Sequence, residues 1–350
     1  MGSGRAIEID GSHGEGGGQI LRTALALACL TGESVRLVNI RRGRPRPGLM
    51  PQHLAAVRAA QAATGAAVAG AERGSGELLF EPGALRGGEI RLDIGTAGAA
   101  TLVLETLLPA LLCAAGPSRV TLTGGTHVPW SPCFEYLAEV LAPALAAMGC
   151  AMRLGIERHG FYPAGGGTLT ADVHPGRPHP ISLLERGRLR GISGVSAVGR
   201  LPASIAERQR DAALALLERE IGAAIPVEIA VTSVRSSSPG TCLFLRGDWE
   251  GCAAGFSALG APGKRAEAVG EEAARGLIEH AATGMPVDLH LADQLVPFLA
   301  IARGKSAIAA SRITRHLLTN LWTAGRLLPI RCLVSGVEGG PGTVAIEPAP

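Results

Sequence analysis

The sequence predicts an α/β fold of the α+β kind, in which three βαβαββ repeats form a core domain that carries a small inserted α+β domain. Bulk composition is the first observation, because 350 residues that are 47% hydrophobic and 18% charged can bury a large ordered core. The second observation is a pattern of strand, glycine turn and helix that recurs along the chain. The third is a stretch between two of these units whose order of predicted strands and helices differs from theirs, which is typical of an insertion.

The first unit begins with a strand at residues 6–9, and a glycine-rich turn leads from it into an apolar helix at residues 20–30. A strand at 35–40, an arginine-rich loop and a helix at 51–64 follow, and a strand at 77–82 closes the unit. Period-two patterns bounded by glycine and proline indicate the strands, and longer apolar runs indicate the helices.

The same order of elements returns twice, although residue identities differ between the copies. The second copy is predicted to have strands at 90–95, 119–123 and 167–172 and helices at 101–114 and 134–148. The third copy is predicted to have strands at 287–291, 306–310, 330–334 and 342–348 and helices at 292–302 and 316–328. The recurring order therefore predicts three repeats.

The intervening segment has proline-rich hinges near residues 178–180 and 284–286, and it contains its own strands and amphipathic helices. The strands are predicted at 189–198, 227–234 and 241–245, and the helices at 203–220 and 265–280. These limits predict repeats one and two at 1–183, the inserted domain at 184–284 and repeat three at 285–350.

Bulk charge and cysteine usage exclude several classes of protein. A net charge of +3 is too small to indicate nucleic-acid binding by itself, and seven cysteines without a Cys-x-x-Cys pair indicate free thiols in a reducing compartment. The longest apolar run, residues 99–116, is interrupted by Glu105 and Pro109, which favours a core helix over a membrane span. The first ten residues lack the apolar region of a signal peptide, so a cytoplasmic location is predicted.

The segment DGSHGEGGGQILR at residues 10–22 is the most informative motif. It joins a strand to a helix N-terminus, where free N–H groups and the helix dipole favour an anion. Glu15 adds a carboxylate that can bind a metal, and Arg22 adds a guanidinium that can bind phosphate. The glycine pattern matches neither the Rossmann fingerprint nor the P-loop, so the glycines alone indicate only a tight turn.

Other polar positions are candidates on charge or helix position. Arg41, Arg42, Arg44 and Arg46 fall within six residues and suit a polyanion as well as they suit a solvated loop. His53 and His316 each begin the second helix of a repeat, where the imidazole stays neutral and nucleophilic, although a capping or core role is the commoner one. The pair Asp293 and Gln294 suits Mg²⁺ or ribose and equally suits a helix cap.

Two further classes of chemistry lack their sequence signals. The histidines and cysteines show no metal-ligand spacing, which predicts no zinc site. A Ser-His-Asp hydrolase is disfavoured because Gly-x-Ser-x-Gly is absent.

Seven sequence blocks, taken in order, resemble the RNA 3′-terminal phosphate cyclase family. They are DGSHGEGGGQILR at 10–22, IRRGRPRPG at 40–48, QH at 52–53, GTAG at 95–98, HGFYPAGGG at 159–167, LADQ at 291–294 and HLLTN at 316–320. The blocks extend over nearly the whole chain, and their combination is highly specific. The family fold, three βαβαββ repeats with an inserted α+β domain, agrees with the order of predicted elements.

The resemblance implies an ATP-dependent reaction in three steps. A histidine attacks the α-phosphate of ATP to give a histidyl–AMP phosphoramidate, and AMP then passes to the 3′-phosphate of an RNA. Finally, the adjacent 2′-hydroxyl displaces AMP and leaves a 2′,3′-cyclic phosphate. The implied ligands are ATP, a divalent cation (Mg²⁺ or Mn²⁺) and an RNA with a 3′-phosphate end, and a homodimer is the candidate assembly.

The resemblance also assigns roles to individual residues. His316 corresponds to the nucleophile and Glu15 to the metal ligand. The other implied phosphate- and nucleotide-binding residues are Arg22, Arg41, Arg44, Gln52, His53, Glu105, Pro132, Tyr136, Phe256, Asp293 and Gln294. Among these, Tyr136 is expected against the adenine with Pro132 nearby, and Phe256 is expected on the other face.

Two positions depart from the family pattern. Glu105 replaces the usual glutamine, so it adds negative charge near the triphosphate and is expected either to bind the divalent ion or to pair with Arg22. His290 replaces the aromatic residue, commonly tyrosine, that precedes LADQ, which changes the expected stacking surface.

Two alternatives come from other classes. A non-catalytic branch of the family acts in ribosome assembly and lacks the nucleophilic histidine, so the presence of His316 favours the enzyme. An enolpyruvyl transferase shares related βαβαββ repeats but needs neither His316 nor the loop that carries Glu15.

Overall fold

The computed structural model describes residues 6–349, and its first repeat is a four-stranded sheet with two helices. Its elements are β1 (Ile7–Asp10), α1 (Gly18–Thr31), β2 (Val35–Val38), α2 (Pro51–Thr64), β3 (Ala67–Ala69) and β4 (Leu78–Glu81). The strand order is β1-β2-β4-β3, with β1 and β2 parallel and the β2–β4 and β4–β3 pairs antiparallel. Helix α1 thus connects two neighbouring parallel strands, and α2 leads from β2 to the edge strand β3.

The second repeat has the same strand order. Its elements are β5 (Gly88–Asp93), α3 (Ala100–Leu111), β6 (Ser118–Gly124), α4 (Phe134–Tyr136), a π-helical turn (Leu137–Leu141), α5 (Ala142–Ala147), β7 (Met152–Arg158) and β8 (Gly167–Val173). The helix predicted at 134–148 therefore contains a wider π turn in its middle. Strand β7 was not predicted, although apolar residues occupy every second position of MRLGIER from Met152 to Ile156.

The inserted segment follows a short strand, β9 (Ser182–Leu183), and forms a sheet of order β11-β10-β12-β13 covered by two helices. Its elements are β10 (Leu189–Gly199), α6 (Ala203–Ile221), β11 (Val227–Ser233), β12 (Gly240–Trp249), β13 (Ala253–Leu259) and α7 (Ala266–Thr283). Its helices and sheet enclose an apolar cluster of their own, which includes Leu243, Ala274 and Leu277. The limits 184–284 stay a prediction.

In the third repeat, the structure differs from the sequence prediction at one strand. Its remaining elements are α8 (Leu289–Ile301), β14 (Ser306–Ala310), α9 (Arg315–Leu327), β15 (Ile330–Gly336) and β16 (Gly342–Pro348). The strand predicted at 287–291 is wrong, because Asp288 caps α8, which begins one residue later. The first strand of this repeat is instead β9, which lies before the insertion and pairs in parallel with β14.

The helices of the three repeats pack together and share one apolar core. This core includes Leu25 of α1, Ala56 of α2, Leu107 of α3, Leu295 of α8 and Leu317 of α9, all essentially inaccessible to solvent. The predicted α+β fold of three βαβαββ repeats with an insertion is confirmed. Within residues 6–349, no helix is both long and apolar enough to cross a membrane.

Candidate active site

The glycine-rich turn after β1 delivers the chain to the N-terminus of α1. Gly17 is the N-cap, and no side chain caps the first turn, so its backbone N–H groups are available to an anion. Gly14 adopts a left-handed φ of +57°, and a Cβ there would collide with Thr319 Oγ1 of α9. Glycine is therefore required at this position, both for the turn and for the close approach of α9.

Glu15 lines a cleft beside this turn. Its backbone N–H donates to Thr319 Oγ1 at 3.1 Å, and its carboxylate pairs with the guanidinium of Arg44, which also donates to the Glu15 carbonyl at 3.0 Å. His316 Nδ1 lies 3.9 Å from Glu15 Oε2. The cleft has a volume of about 480 Å³ and is lined by Ser12, Gly14, Glu15, Gly16, Arg42, Gly43 and Arg44. Residues from the first and third repeats thus meet at Glu15.

His316 occupies the first turn of α9, where Thr314 is the N-cap and its hydroxyl accepts from the Leu317 N–H at 2.9 Å. Partial burial is the main cause that lowers the pKa of His316, and the positive charges of Arg22 and Arg44 lower it further. Its side chain is 49% exposed, so the ring remains accessible to solvent. A neutral, accessible imidazole at neutral pH is the form that can act as a nucleophile.

His53 brings the start of α2 to the start of α1. The Met50 N–H donates to His53 Nδ1 at 3.0 Å, so the neutral ring carries its proton on Nε2. A Cβ on Gly18 would collide with His53 Nε2 and crowd Arg22 Nη1, which places both groups beside the first turn of α1. Burial, followed by repulsion from Arg22 and Arg41, lowers the pKa of His53 to about 3. His53 is therefore a neutral N–H donor at the same end of α1.

The arginine loop contributes its two predicted residues in different ways. Arg44 reaches Glu15 and the cleft, as described above. Arg41, at a left-handed φ of +54°, instead donates to the carbonyl oxygens of Arg46 at 2.6 Å and Gly48 at 3.0 Å. Arg41 therefore braces its own loop in this conformation.

A second group of polar residues surrounds Glu105 on α3, where a small internal cavity is also lined by Arg22, Asp293 and Gln294. Gln294 Nε2 donates to Glu105 Oε1 at 3.1 Å, and Thr314 Oγ1 donates to Asp293 Oδ1 at 2.6 Å. Burial raises the pKa of Glu105 to about 7 against the opposing attraction of Arg22. Burial likewise raises the pKa of Asp293 to about 8. The structure thus places Glu105 at the same cavity as Arg22, but Arg22 donates to Gln19 Oε1 at 2.8 Å, and pairing of Arg22 with Glu105 stays a prediction.

The raised pKa of Glu105 predicts pH-dependent stability. Because its folded-state pKa of about 7 exceeds the ordinary value of 4.5, the folded chain binds this proton more tightly. Below pH 4.5 the buried carboxyl therefore does not lower the free energy of unfolding. As the pH rises towards 7 it lowers that free energy increasingly, by up to about 3 kcal/mol. Glu105→Gln should raise the free energy of unfolding at pH 8 by up to this amount and change it little at pH 4.5. Urea unfolding at both pH values measures this difference, and an equal effect at both would contradict it.

The residues expected at the adenine are only partly brought together. Tyr136 is buried, and its hydroxyl donates to Asp288 at 2.8 Å, while its ring meets the exposed His290 edge-on at 6.3 Å. Phe256 lies on β13 and packs against Gly276 and His280 inside the inserted segment. The structure therefore does not place Phe256 opposite Tyr136.

The remaining two predicted positions lie in the second and first repeats. Pro132, half-buried, precedes α4. Gln52 faces the turn of the second repeat, since a Cβ on Gly98 would lie 3.2 Å from Gln52 Cβ. The binding roles of Pro132, Gln52, Tyr136 and Phe256 stay predictions.

The sequence did not predict several buried residues that form hydrogen bonds with the elements carrying the site residues. Asp288 is fully buried, caps α8 through the N–H groups of His290 and Leu291, and accepts from Tyr136. Thr23 donates to Asn320 Oδ1 at 2.7 Å, and Asn320 donates to the Asp293 carbonyl at 2.9 Å. An aspartate before an apolar helix is an N-cap signal that could have located Asp288.

The fold is an α+β protein of three repeats with an inserted segment. A histidine, a carboxylate and an arginine lie together beside the N-terminus of α1. A family model described as "RNA 3'-terminal phosphate cyclase" matches residues 13–334. This chain is 45% identical to the RNA 3′-terminal phosphate cyclase of Methanopyrus kandleri over 98% of this chain and 99% of that protein. It is equally identical to that of Thermococcus kodakarensis, over 97% and 98% respectively. The chain belongs to the RNA 3′-terminal phosphate cyclase family.

A third relative is similar to the same degree. The RNA 3′-terminal phosphate cyclase of Methylococcus capsulatus is 45% identical over 98% of this chain and 97% of that protein. A solved structure, the enolpyruvyl transferase NikO from Streptomyces tendae, aligns with 98% of this chain and 82% of its own at 13% identity and a TM-score of 0.29.

Proposed function

We propose that this chain uses ATP to convert the 3′-phosphate end of an RNA to a 2′,3′-cyclic phosphate, with His316 as the residue that is adenylated. One observation carries the proposal: His316 faces Glu15 at 3.9 Å, beside Arg44 and at the uncapped N-terminus of α1. The membership of the cyclase family supports the choice of substrate and product.

In the first step, a neutral ring nitrogen of His316 attacks the α-phosphorus of ATP and pyrophosphate leaves. Because Nδ1 faces Glu15, the other nitrogen, Nε2, is the one assigned to the attack. The positive charge that develops on the ring is stabilised by the Glu15 carboxylate. Arg22, Arg44 and the N–H groups of α1 neutralise the phosphate oxygens, which is the main requirement of phosphoryl and nucleotidyl transfer.

In the second step, an oxygen of the RNA 3′-phosphate attacks the phosphorus of the histidyl–AMP, and the P–N bond breaks. The imidazole is then released and returns to its neutral form. In the third step, the 2′-hydroxyl oxygen attacks the RNA phosphorus, its proton passes to solvent, and AMP leaves. Each step exchanges one bond to phosphorus for another, so no second ATP is needed.

Glu15 would hold the divalent cation of the reaction. Its carboxylate opens onto the cleft and has an arginine as its present partner. One carboxylate together with substrate phosphate oxygens is a usual ligand set for Mg²⁺, so the residues fit the ion. When bound, the cation neutralises charge on the triphosphate.

The direct test is to incubate the chain with α-labelled ATP and to isolate the denatured protein. We expect a covalent, acid-labile label that transfers to RNA when a 3′-phosphorylated oligonucleotide is added. The same oligonucleotide with a 3′-hydroxyl should remain unchanged, because it offers no phosphate to adenylate. Absence of a protein-bound label would favour the non-catalytic branch of the family.

Arg44 is predicted to hold a substrate phosphate. Each charge-assisted contact is worth about 1.5–3 kcal/mol, so Arg44→Ala should weaken binding of a 3′-phosphorylated RNA on the order of tenfold or more and reduce its salt dependence. Arg41→Ala should weaken binding as well, because Arg41 braces the loop that positions Arg44. Fluorescence anisotropy at several salt concentrations measures both effects.

Arg46→Ala is the matched control, because this exposed side chain carries the same charge in the same loop. Its effect should be small. Equal losses for Arg44→Ala and Arg46→Ala would identify the loop as a diffuse basic surface without a specific phosphate contact.

A further inference from the structure

Outside the cleft, three side chains of the second repeat converge on one point. His127 lies in the loop after β6, Glu135 lies in α4, and His159 directly follows β7. His127 Nε2 is 2.6 Å from Glu135 Oε2, and His159 Nε2 is 3.6 Å from Glu135 Oε1. A ligand atom from each residue lies within 4.8 Å of the other two. These residues, named here the His–Glu–His cluster, are assigned no part in the proposed reaction.

The cluster is largely removed from water and its rings are oriented. The side chain of His127 is fully buried, and those of Glu135 and His159 are 12% and 13% exposed. Thr126 Oγ1 lies 2.8 Å from His127 Nδ1 and also accepts from the Gly160 N–H at 2.9 Å. In metal sites, a hydrogen bond to one ring nitrogen of a histidine commonly orients the ring so that the other nitrogen can bind the metal. Here Thr126 contacts Nδ1 of His127, and Nε2 points to the cluster.

The chemistry of the cluster suits a zinc ion. Two imidazoles and one carboxylate are borderline ligands that favour zinc, whereas Mg²⁺ and Ca²⁺ prefer oxygen ligands throughout. Bonds of about 2.0–2.1 Å in a tetrahedral site place ligand atoms about 3.3 Å apart. The contact at 3.6 Å is near this value and too long for a good hydrogen bond, and the contact at 2.6 Å must widen by less than about 1 Å. The stacked rings of His127 and His159, with centroids 4.7 Å apart, must also tilt towards each other.

We propose that His127, Glu135 and His159 form a zinc-binding site with water in the fourth position. The ligands are separated by eight and 24 residues along the chain, which is why the linear spacing of histidines predicted no such site. The His159 N–H donates to the Arg235 carbonyl at 2.8 Å, so the site adjoins the inserted segment. Bound zinc would therefore hold three parts of the second repeat together beside the inserted segment.

The test is zinc stoichiometry of the full chain, stripped with a chelator and reloaded without ATP or RNA. Wild type should bind one zinc per chain at this site, measured by mass spectrometry of the metal after gel filtration. Glu135→Gln keeps an oxygen that can accept from His127 but is a poor metal ligand, and it should lower zinc affinity at least tenfold. Zinc should raise the unfolding temperature of wild type and leave that of Glu135→Gln unchanged.

Two controls separate this site from other metal ligands. Glu15→Gln should retain the zinc, because Glu15 belongs to the cleft. Cobalt substituted for zinc should give a tetrahedral spectrum without a thiolate charge-transfer band, since no cysteine is among the ligands. His159→Gln provides a second variant should Glu135→Gln fail to fold. Equal zinc binding by wild type and a folded cluster variant, or a thiolate band in wild type, would overturn the proposal in favour of a purely hydrogen-bonded cluster.

Discussion

Replacement of His316 by asparagine is expected to abolish covalent labelling of the chain by α-labelled ATP. Asparagine retains polarity and hydrogen bonding at the start of α9 but has no nucleophilic nitrogen. Loss of a residue that forms a covalent intermediate lowers the rate by more than about 10³-fold. The fold should be unaffected, because the imidazole is 49% exposed and Thr314 provides the helix cap. Labelling and circular dichroism of the same preparation measure the two effects.

His174→Asn is the matched control for this experiment. His174 is an exposed histidine that follows β8 in the second repeat, and its N–H donates to the Ala151 carbonyl at 3.0 Å. It should label at the wild-type rate. Wild-type labelling of His316→Asn would assign the adenylated residue elsewhere and contradict the mechanism.

Arg22→Met is expected to slow adenylation and to change its pH dependence. Loss of one or two charge-assisted phosphate contacts, at about 1.5–3 kcal/mol each, corresponds to a decrease of roughly 10- to 100-fold or more. Arg22 also helps to lower the pKa of His316, so its removal should raise that pKa towards the ordinary value. The imidazole must be neutral to attack, and the acid limb of the pH–rate profile should therefore move to higher pH.

Arg22→Lys separates these two effects. Lysine keeps the positive charge near His316 and should restore the acid limb, but it lacks the fork of the guanidinium and should recover only part of the rate. Single-turnover adenylation rates from pH 5 to pH 9 provide the profile. An unchanged acid limb in Arg22→Met would show that Arg22 does not act on His316.

Elements with a strong local signal could be predicted from the sequence. The helix at residues 51–64 starts at a proline and ends before glycine, and both ends agree with α2. By contrast, β9 has only two residues, and its pairing with β14 depends on a contact across more than 120 residues. No local sequence pattern indicates a pairing between such distant residues. The sequence therefore predicts the first strand of this repeat at residues 287–291 instead.

The candidate site shows the same division between local and long-range information. Glu15 and His316 belong to recognisable blocks, and the structure places them 3.9 Å apart. The environment of Tyr136 could not be predicted, because its partner Asp288 is 152 residues away. The position of Phe256 depends on which face of β13 packs against α7, and a short apolar strand does not specify this.

The placement of β9 ahead of the inserted segment has a consequence for the order in which the chain can acquire its structure during synthesis. The first two repeats have all their strands once residue 173 has left the ribosome, whereas the third cannot pair β9 with β14 until residue 310 has emerged. The hydrogen bond between the Glu15 N–H and Thr319 Oγ1 spans 304 residues. The glycine-rich turn can therefore contact Thr319 only after residue 319 has also emerged. Contacts of such long range form late in folding. A nascent chain therefore contains the glycine-rich turn well before it contains His316.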